Sequence, residues 1–146
     1  LSRNEWRYVC QVDCNLDESL PTVPCFRDEV NQVFLNFIVN AAHAIEAKHS
    51  DSEAELGKIH ISTFVENDSC IICIEDDGIG MSEEIQKRIF DPFFTTKDVG
   101  KGTGQGMSLA YSTIVEKHDG FIEIKSEEGL GTKFKIGLPL HQERFT

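Results

Sequence analysis

The chain has 146 residues, 40% hydrophobic and 27% charged, the composition of an ordinary globular protein rather than a disordered or fibrous one. A chain of this length buries roughly two-thirds of its extended surface, so one domain with a core is expected without disulfide or metal staples. A net charge of −11 argues against non-specific binding to nucleic acid or an anionic membrane, which both require a basic face.

No apolar run approaches the ~20 residues of a spanning helix, and no leader opens the chain. It begins at Leu1 and is expected to be a piece of something longer. Alternation over Trp6–Asp13 predicts a first strand, and Asn15–Cys25, with Pro21 and Pro24, a loop. From Arg27 to Lys48 the apolar positions Val30, Val33, Phe34, Phe37, Ala41, Ala44 and Ile45 recur with helical period. Ile59, Ile61, Thr63 and Val65 then alternate, Asn67-Asp68 turns the chain, and Ser69–Glu75 returns as a hydrophobic strand.

After the glycine turn Asp76-Asp77-Gly78-Ile79-Gly80, Ser82 is placed to cap a short helix with Glu83 and Glu84 in its first turn. Residues 91–103 carry proline, glycine and lysine and are expected to be mobile. A helix from Gly106 keeps its period through Val115 and is expected to end at Gly120 as a left-handed cap. Two strands, Phe121–Lys125 and Thr132–Leu138, close the chain. The sum is an α+β sandwich: one mixed, mainly antiparallel sheet covered by helices on one face.

Five cysteines, an odd number without a leader, point to reduced thiols and a cytoplasmic setting. Cys10 and Cys14 on one strand would lie ~13 Å apart, too far for a disulfide. Cys70 and Cys73 have C-x-x-C spacing, but strand alternation points them to opposite faces and no second pair exists, so they read as core residues rather than a thiol metal module.

Four segments carry more than fold. On the long helix, Asn36, Asn40 and His43 form a narrow polar strip between apolar edges, either a solvated face or a site for phosphate and a hard cation. Glu75-Asp76-Asp77-Gly78-Ile79-Gly80 is either an acidic turn or a carboxylate placed to accept from the amine of a flat ligand. Phe90-Asp91-Pro92-Phe93-Phe94 puts aromatics in a loop, either as a tether or as a hinged lid. Gly100–Met107 is rich in glycine and runs into a helix, an arrangement that turns backbone N–H groups toward an anion, although it fits neither the P-loop nor the dinucleotide fingerprint.

In this order the four segments resemble the N, G1, F and G2 boxes of the catalytic and ATP-binding domain of sensor histidine kinases, in the superfamily of gyrase, ninety-kilodalton heat-shock chaperones and mismatch-repair ATPases. Gly129-Leu130-Gly131-Thr132 and Leu138-Pro139 are similar to the family's last strand. The resemblance implies the two-layer Bergerat fold, with the lid at about 91–103. It implies that Asn40 coordinates the Mg²⁺ of bound ATP, with Asn36 and His43 near phosphate oxygens. Asp76 would accept from the adenine amine with support from Thr132, and Ala44, Gly78, Gly80 and Met81 would line the adenine pocket. Thr96, Lys97 and Lys101, with Gly102, Thr103, Gly104, Gln105, Gly106 and Met107, would wrap the phosphates, and Lys97 or Lys101 would reach the γ-phosphate.

Three departures stand out: Gln105 where leucine is frequent, Asp119 where glycine is frequent, and His43 where lysine is frequent. Hydrolysing relatives carry a glutamate four residues before the metal-binding asparagine; here that position is Asn36, which cannot serve as a base. The resemblance therefore implies a kinase that hands the γ-phosphoryl to an external histidine, with a response regulator downstream. The alternatives are an ATPase-type or degenerate nucleotide-binding module. Among the five histidines only His118 precedes an acidic residue, and it stands at a helix end. The acceptor is therefore expected in a separate dimerisation domain upstream of Leu1, and the parent protein could be anchored in a membrane.

Overall fold

The computed structural model describes residues 10–48, 57–92, 94 and 106–141. Strand β2 (Gly57–Glu66) turns through Asn67 and Asp68, at φ 51° and 61°, into antiparallel β3 (Ser69–Asp76). Both turn residues in the left-handed region define the two-residue hairpin whose twist matches its strands, and Asn and Asp tolerate that region best after glycine. Strands β4 (Phe121–Glu127) and β5 (Gly131–Pro139) form a second hairpin, and β5 docks antiparallel on β3. Strand β1 (Cys10–Asn15) lies parallel to β2, giving the order β1-β2-β3-β5-β4. The first strand runs two residues beyond the expected Asp13, because its parallel pairing continues to Asn15 opposite Ser62. The expected start at Trp6 lies outside the described residues.

Helix α1 (Arg27–Lys48) buries Val30, Val33, Phe37, Ala41 and Ile45 against this sheet, and Ala42 is buried as well. The Phe37 and Phe134 rings meet 4.7 Å apart at the centre of the core. Being central, β3 is buried on both faces: Cys70, Ile72 and Ile74 join the helix-side cluster, while Ile71 and Cys73 lie on the other face. The two thiols thus point apart as the alternation required, and the described residues contain no group of three His, Cys, Asp or Glu able to hold a metal. No described helix is long and apolar enough to cross a membrane.

Helix α2 (Glu83–Arg88) starts where expected, with the Ser82 hydroxyl accepting the Ile85 N–H at 3.2 Å. Ser82→Ala should lower stability by about 1 kcal/mol in urea unfolding, since one N–H of the first turn loses its acceptor.

Helix α3 (Gly106–Tyr111) differs from expectation. It continues as a π-helical segment, Ser112–Lys117, and the left-handed residue after it is Asp119 (φ 54°), not Gly120. The N–H that folds back onto the helix, to the Ile114 carbonyl at 2.8 Å, belongs to Gly120, so the residue before it takes the left-handed turn. Gly120 is needed instead for close approach, because a Cβ there would sit 2.2 Å from the Gly137 carbonyl oxygen.

His118, fully buried, accepts the Phe26 N–H on Nε2 at 3.0 Å and donates Nδ1–H to the Thr113 carbonyl at 2.7 Å. Those two bonds tie the start of α1 to the end of the π segment. As the sequence suggested, this is a structural histidine.

Candidate nucleotide-binding site

The candidate site forms where the ends of β3 and β5 meet α1. Asp76, 6% exposed, ends β3 opposite Thr132 of β5, itself 5% exposed. Its Oδ1 accepts the Gly78 N–H at 2.9 Å, and the Thr132 backbone N–H also bonds to the carboxylate. Burial pushes the Asp76 carboxyl up to about 6; the two N–H donors oppose the rise, and the charges of Asp77 and Glu75 add to it.

The neighbouring carboxylate has a different task. Asp77 Oδ1 accepts the Lys58 N–H at 2.8 Å and its carbonyl accepts the Lys48 ammonium at 3.0 Å, pinning the loop to β2 and to the end of α1. The loop then crosses α1 in contact. Ile79 N–H donates to the Ala44 carbonyl at 3.0 Å, and a Cβ on Gly78 would lie 2.6 Å from the Ala44 carbonyl carbon. Ala44 is thereby brought beside Asp76.

Gly80 has φ +73°, and a Cβ there would fall 2.1 Å from the Glu127 carbonyl oxygen. This close approach lets Met81 N–H reach the Ser126 hydroxyl at 2.8 Å. The Ser126 hydroxyl also lies 2.7 Å from that of Thr132, and Gln86 donates to the carbonyls of Met81 (3.0 Å) and Ser126 (3.3 Å). A hydrogen-bonded frame thus runs from α2 through Ser126 to Thr132, beside Asp76. Sequence reasoning missed Ser126 and Gln86. Ser126 had a signal, a small polar residue continuing the alternation of Ile122 and Ile124; Gln86, mid-helix, had none.

On α1, Asn36, Asn40 and His43 are each half-buried along one side. The Asn36 carboxamide is engaged: its oxygen accepts from Gln32 at 3.0 Å and its nitrogen donates to the Gly106 carbonyl at 3.4 Å, fastening the start of α3 to α1. No described residue hydrogen-bonds the Asn40 side chain. Met107 is 8% exposed and belongs to the core cluster, and Gly106 is half-buried. Phe90 packs on Tyr111 with centroids 5.4 Å apart, and the Arg88 guanidinium lies 4.6 Å over Phe94. Thr96, Lys97, Lys101, Gly102, Thr103, Gly104 and Gln105 lie outside the described residues, as does Phe93.

A family described as histidine kinase-, DNA gyrase B- and HSP90-like ATPase matches residues 26–142. The chain belongs to that family. It is 36% identical to sporulation kinase E of Bacillus subtilis over 90% of its own length and 16% of that protein's. It is 40% identical to the signal transduction histidine-protein kinase AtoS of Escherichia coli over 88% of the chain and 19% of the relative. The chain therefore spans less than a fifth of these two relatives. The catalytic domain of histidine kinase ThkA superposes with a TM-score of 0.75 at 26% identity, covering 95% of this chain and 90% of that one. The chain is accordingly an ATP-binding domain of the histidine-kinase kind, with the mixed five-stranded sheet that the sequence implied.

Proposed function

We propose that this chain, as one domain, binds Mg-ATP and transfers the γ-phosphoryl to a histidine on a separate dimerisation domain, feeding a two-component phosphorelay. The observation that carries this reading is Asp76. A carboxylate held almost fully buried costs folding free energy, and a ligand donor such as the adenine amine would offset that cost. Thr132, held by Ser126, would steady the contact through water, while Ala44, Gly78, Gly80 and Met81 supply flat walls against the base.

The donor chemistry also suits magnesium bound with its substrate. Mg²⁺ keeps several waters and phosphate oxygens and needs only one or two protein oxygens, and Asn40 offers an uncommitted neutral one. When bound, the ion neutralises charge on the phosphates, which an acidic chain otherwise repels. Asn36 and His43 would border the phosphates, with His43 contributing charge only when protonated. Backbone N–H groups at Gly102–Gly106 would cradle them, and Lys97 or Lys101 would approach the γ-phosphate. Since Asn36 cannot take a proton from water, γ-phosphoryl transfer is left to an external nucleophile.

This reading places the domain in the cytoplasm, where ATP and a response regulator are available. The test is a trans-phosphorylation assay with the parent protein's dimerisation domain. Label should reach the acceptor histidine, while the chain alone hydrolyses ATP very slowly. Fast steady-state hydrolysis would favour an ATPase, and nucleotide binding without transfer a degenerate module. In calorimetry, chelating Mg²⁺ should weaken ATP binding more than ADP binding, because the triphosphate carries more charge to neutralise.

A further inference from the structure

A cleft of about 340 Å³ lies between α2 and β4, lined by Glu83, Gln86 and Lys87 of the helix and by Ile122 and Ile124 of the strand. Among the described residues β4 pairs only with β5, so no strand covers its other edge. In an antiparallel strand the N–H and C=O of one residue point the same way and alternate along the chain. The Ser126 carbonyl points outward to Gln86. The N–H and C=O groups of Ile124 and Ile122 therefore also point outward, into the cleft floored by their own side chains.

On the opposite face the same edge carries an ordered charge pattern. Lys125 faces another lysine, Lys133, in register on β5, so an acidic neighbour on its free side would relieve that repulsion. Glu123 faces Lys135, whose ammonium is already bonded to Glu66 at 3.0 Å. A basic neighbour on its free side would complement Glu123.

We propose that this helix-bordered edge docks an extended peptide segment of another protein as a sixth, antiparallel strand. The segment reads acidic, apolar, basic, apolar from its N-terminal end, opposite Lys125, Ile124, Glu123 and Ile122 in turn. The apolar residues fill the cleft against α2, and their backbone groups pair with those of Ile124 and Ile122. The docking does not depend on nucleotide binding.

The probe is an acetylated, amidated hexapeptide, Thr-Glu-Val-Lys-Val-Thr. It should slow amide exchange at Ile122 and Ile124 at least tenfold at saturation. Methylating its two valine nitrogens should abolish binding while leaving its charges intact. The charge-reversed peptide, Thr-Lys-Val-Glu-Val-Thr, should bind at least fivefold more weakly. The double variant Glu123→Lys/Lys125→Glu, both exposed positions, should reverse that preference, which loss of folding would not do. The proposal fails if exchange at the two isoleucines is unchanged, if the methylated peptide binds equally, or if the double variant keeps the original preference. It also fails if those amides are protected by self-association of the chain without peptide.

Discussion

Asp76→Asn should weaken ATP and ADP binding roughly ten- to hundredfold in calorimetry. An amide nitrogen would face the adenine amine, and a buried donor without an acceptor costs about 1–3 kcal/mol. The same substitution should stabilise the empty domain. With its pKa raised to about 6 from an ordinary 3.8, the folded Asp76 holds a proton between those values that the unfolded chain releases. Its contribution therefore favours folding at low pH and is lost as pH rises from about 4 to 6. By neutral pH the ionised group costs about 3 kcal/mol relative to the protonated one.

Asparagine removes that cost and forfeits part of the N–H pairing from Gly78 and Thr132. Thermal unfolding at pH 7.5 should thus show a higher midpoint without nucleotide and little further rise with it. In the unsubstituted chain, nucleotide affinity should fall about tenfold from pH 7 to pH 5, as the acceptor becomes protonated. Affinity indifferent to pH across that window would remove Asp76 from the adenine contact.

Gly80→Ala should be strongly destabilising. A left-handed backbone costs a non-glycine residue about 1–2 kcal/mol. The Cβ would also fall 2.1 Å from the Glu127 carbonyl oxygen, where rigid backbone has to yield. Together a loss of about 2–4 kcal/mol is expected in urea unfolding. Because the displaced hairpin carries Ser126 and Thr132, nucleotide affinity should fall as well, even where the variant remains folded. An alanine variant of unchanged stability would show that the two segments do not meet as described.

What the sequence disclosed follows from which forces are local. Period-two alternation located β2, an apolar run located β3, period 3.6 located α1, and the Ser82 cap fixed the start of α2, because each rests on neighbours within a few positions. The π segment was not legible: Met107, Ala110 and Ile114 satisfy the α period, and the widening at Ser112–Lys117 shows in the backbone only. That unseen widening also moved the left-handed turn from Gly120 to Asp119. Within the site, Asp76, Gly78 and Gly80 announced themselves through chain geometry that few other residues permit. The carboxamide of Asn36 did not announce its bond to Gly106, and Gln86 could not be chosen among the polar residues of α2, because both act through contacts distant in sequence. Lys97, Lys101, Gly102 and Gly104 lie outside the described residues, and their assignment rests on the family resemblance.

The pairing of β3 with β5 joins two hairpins, and Asp76 faces Thr132 at one end of that join. The chain leaves the sheet after Asp76 and rejoins it at Phe121 of β4, with α2 and α3 in between. Lengthening such an excursion is inexpensive, about 0.6 kcal/mol for each doubling of a flexible connection. Insertions at its surface loops should therefore be tolerated, while the pairing of Asp76 with Thr132 stays fixed in the sheet. The architecture separates the part free to vary from the part that must hold.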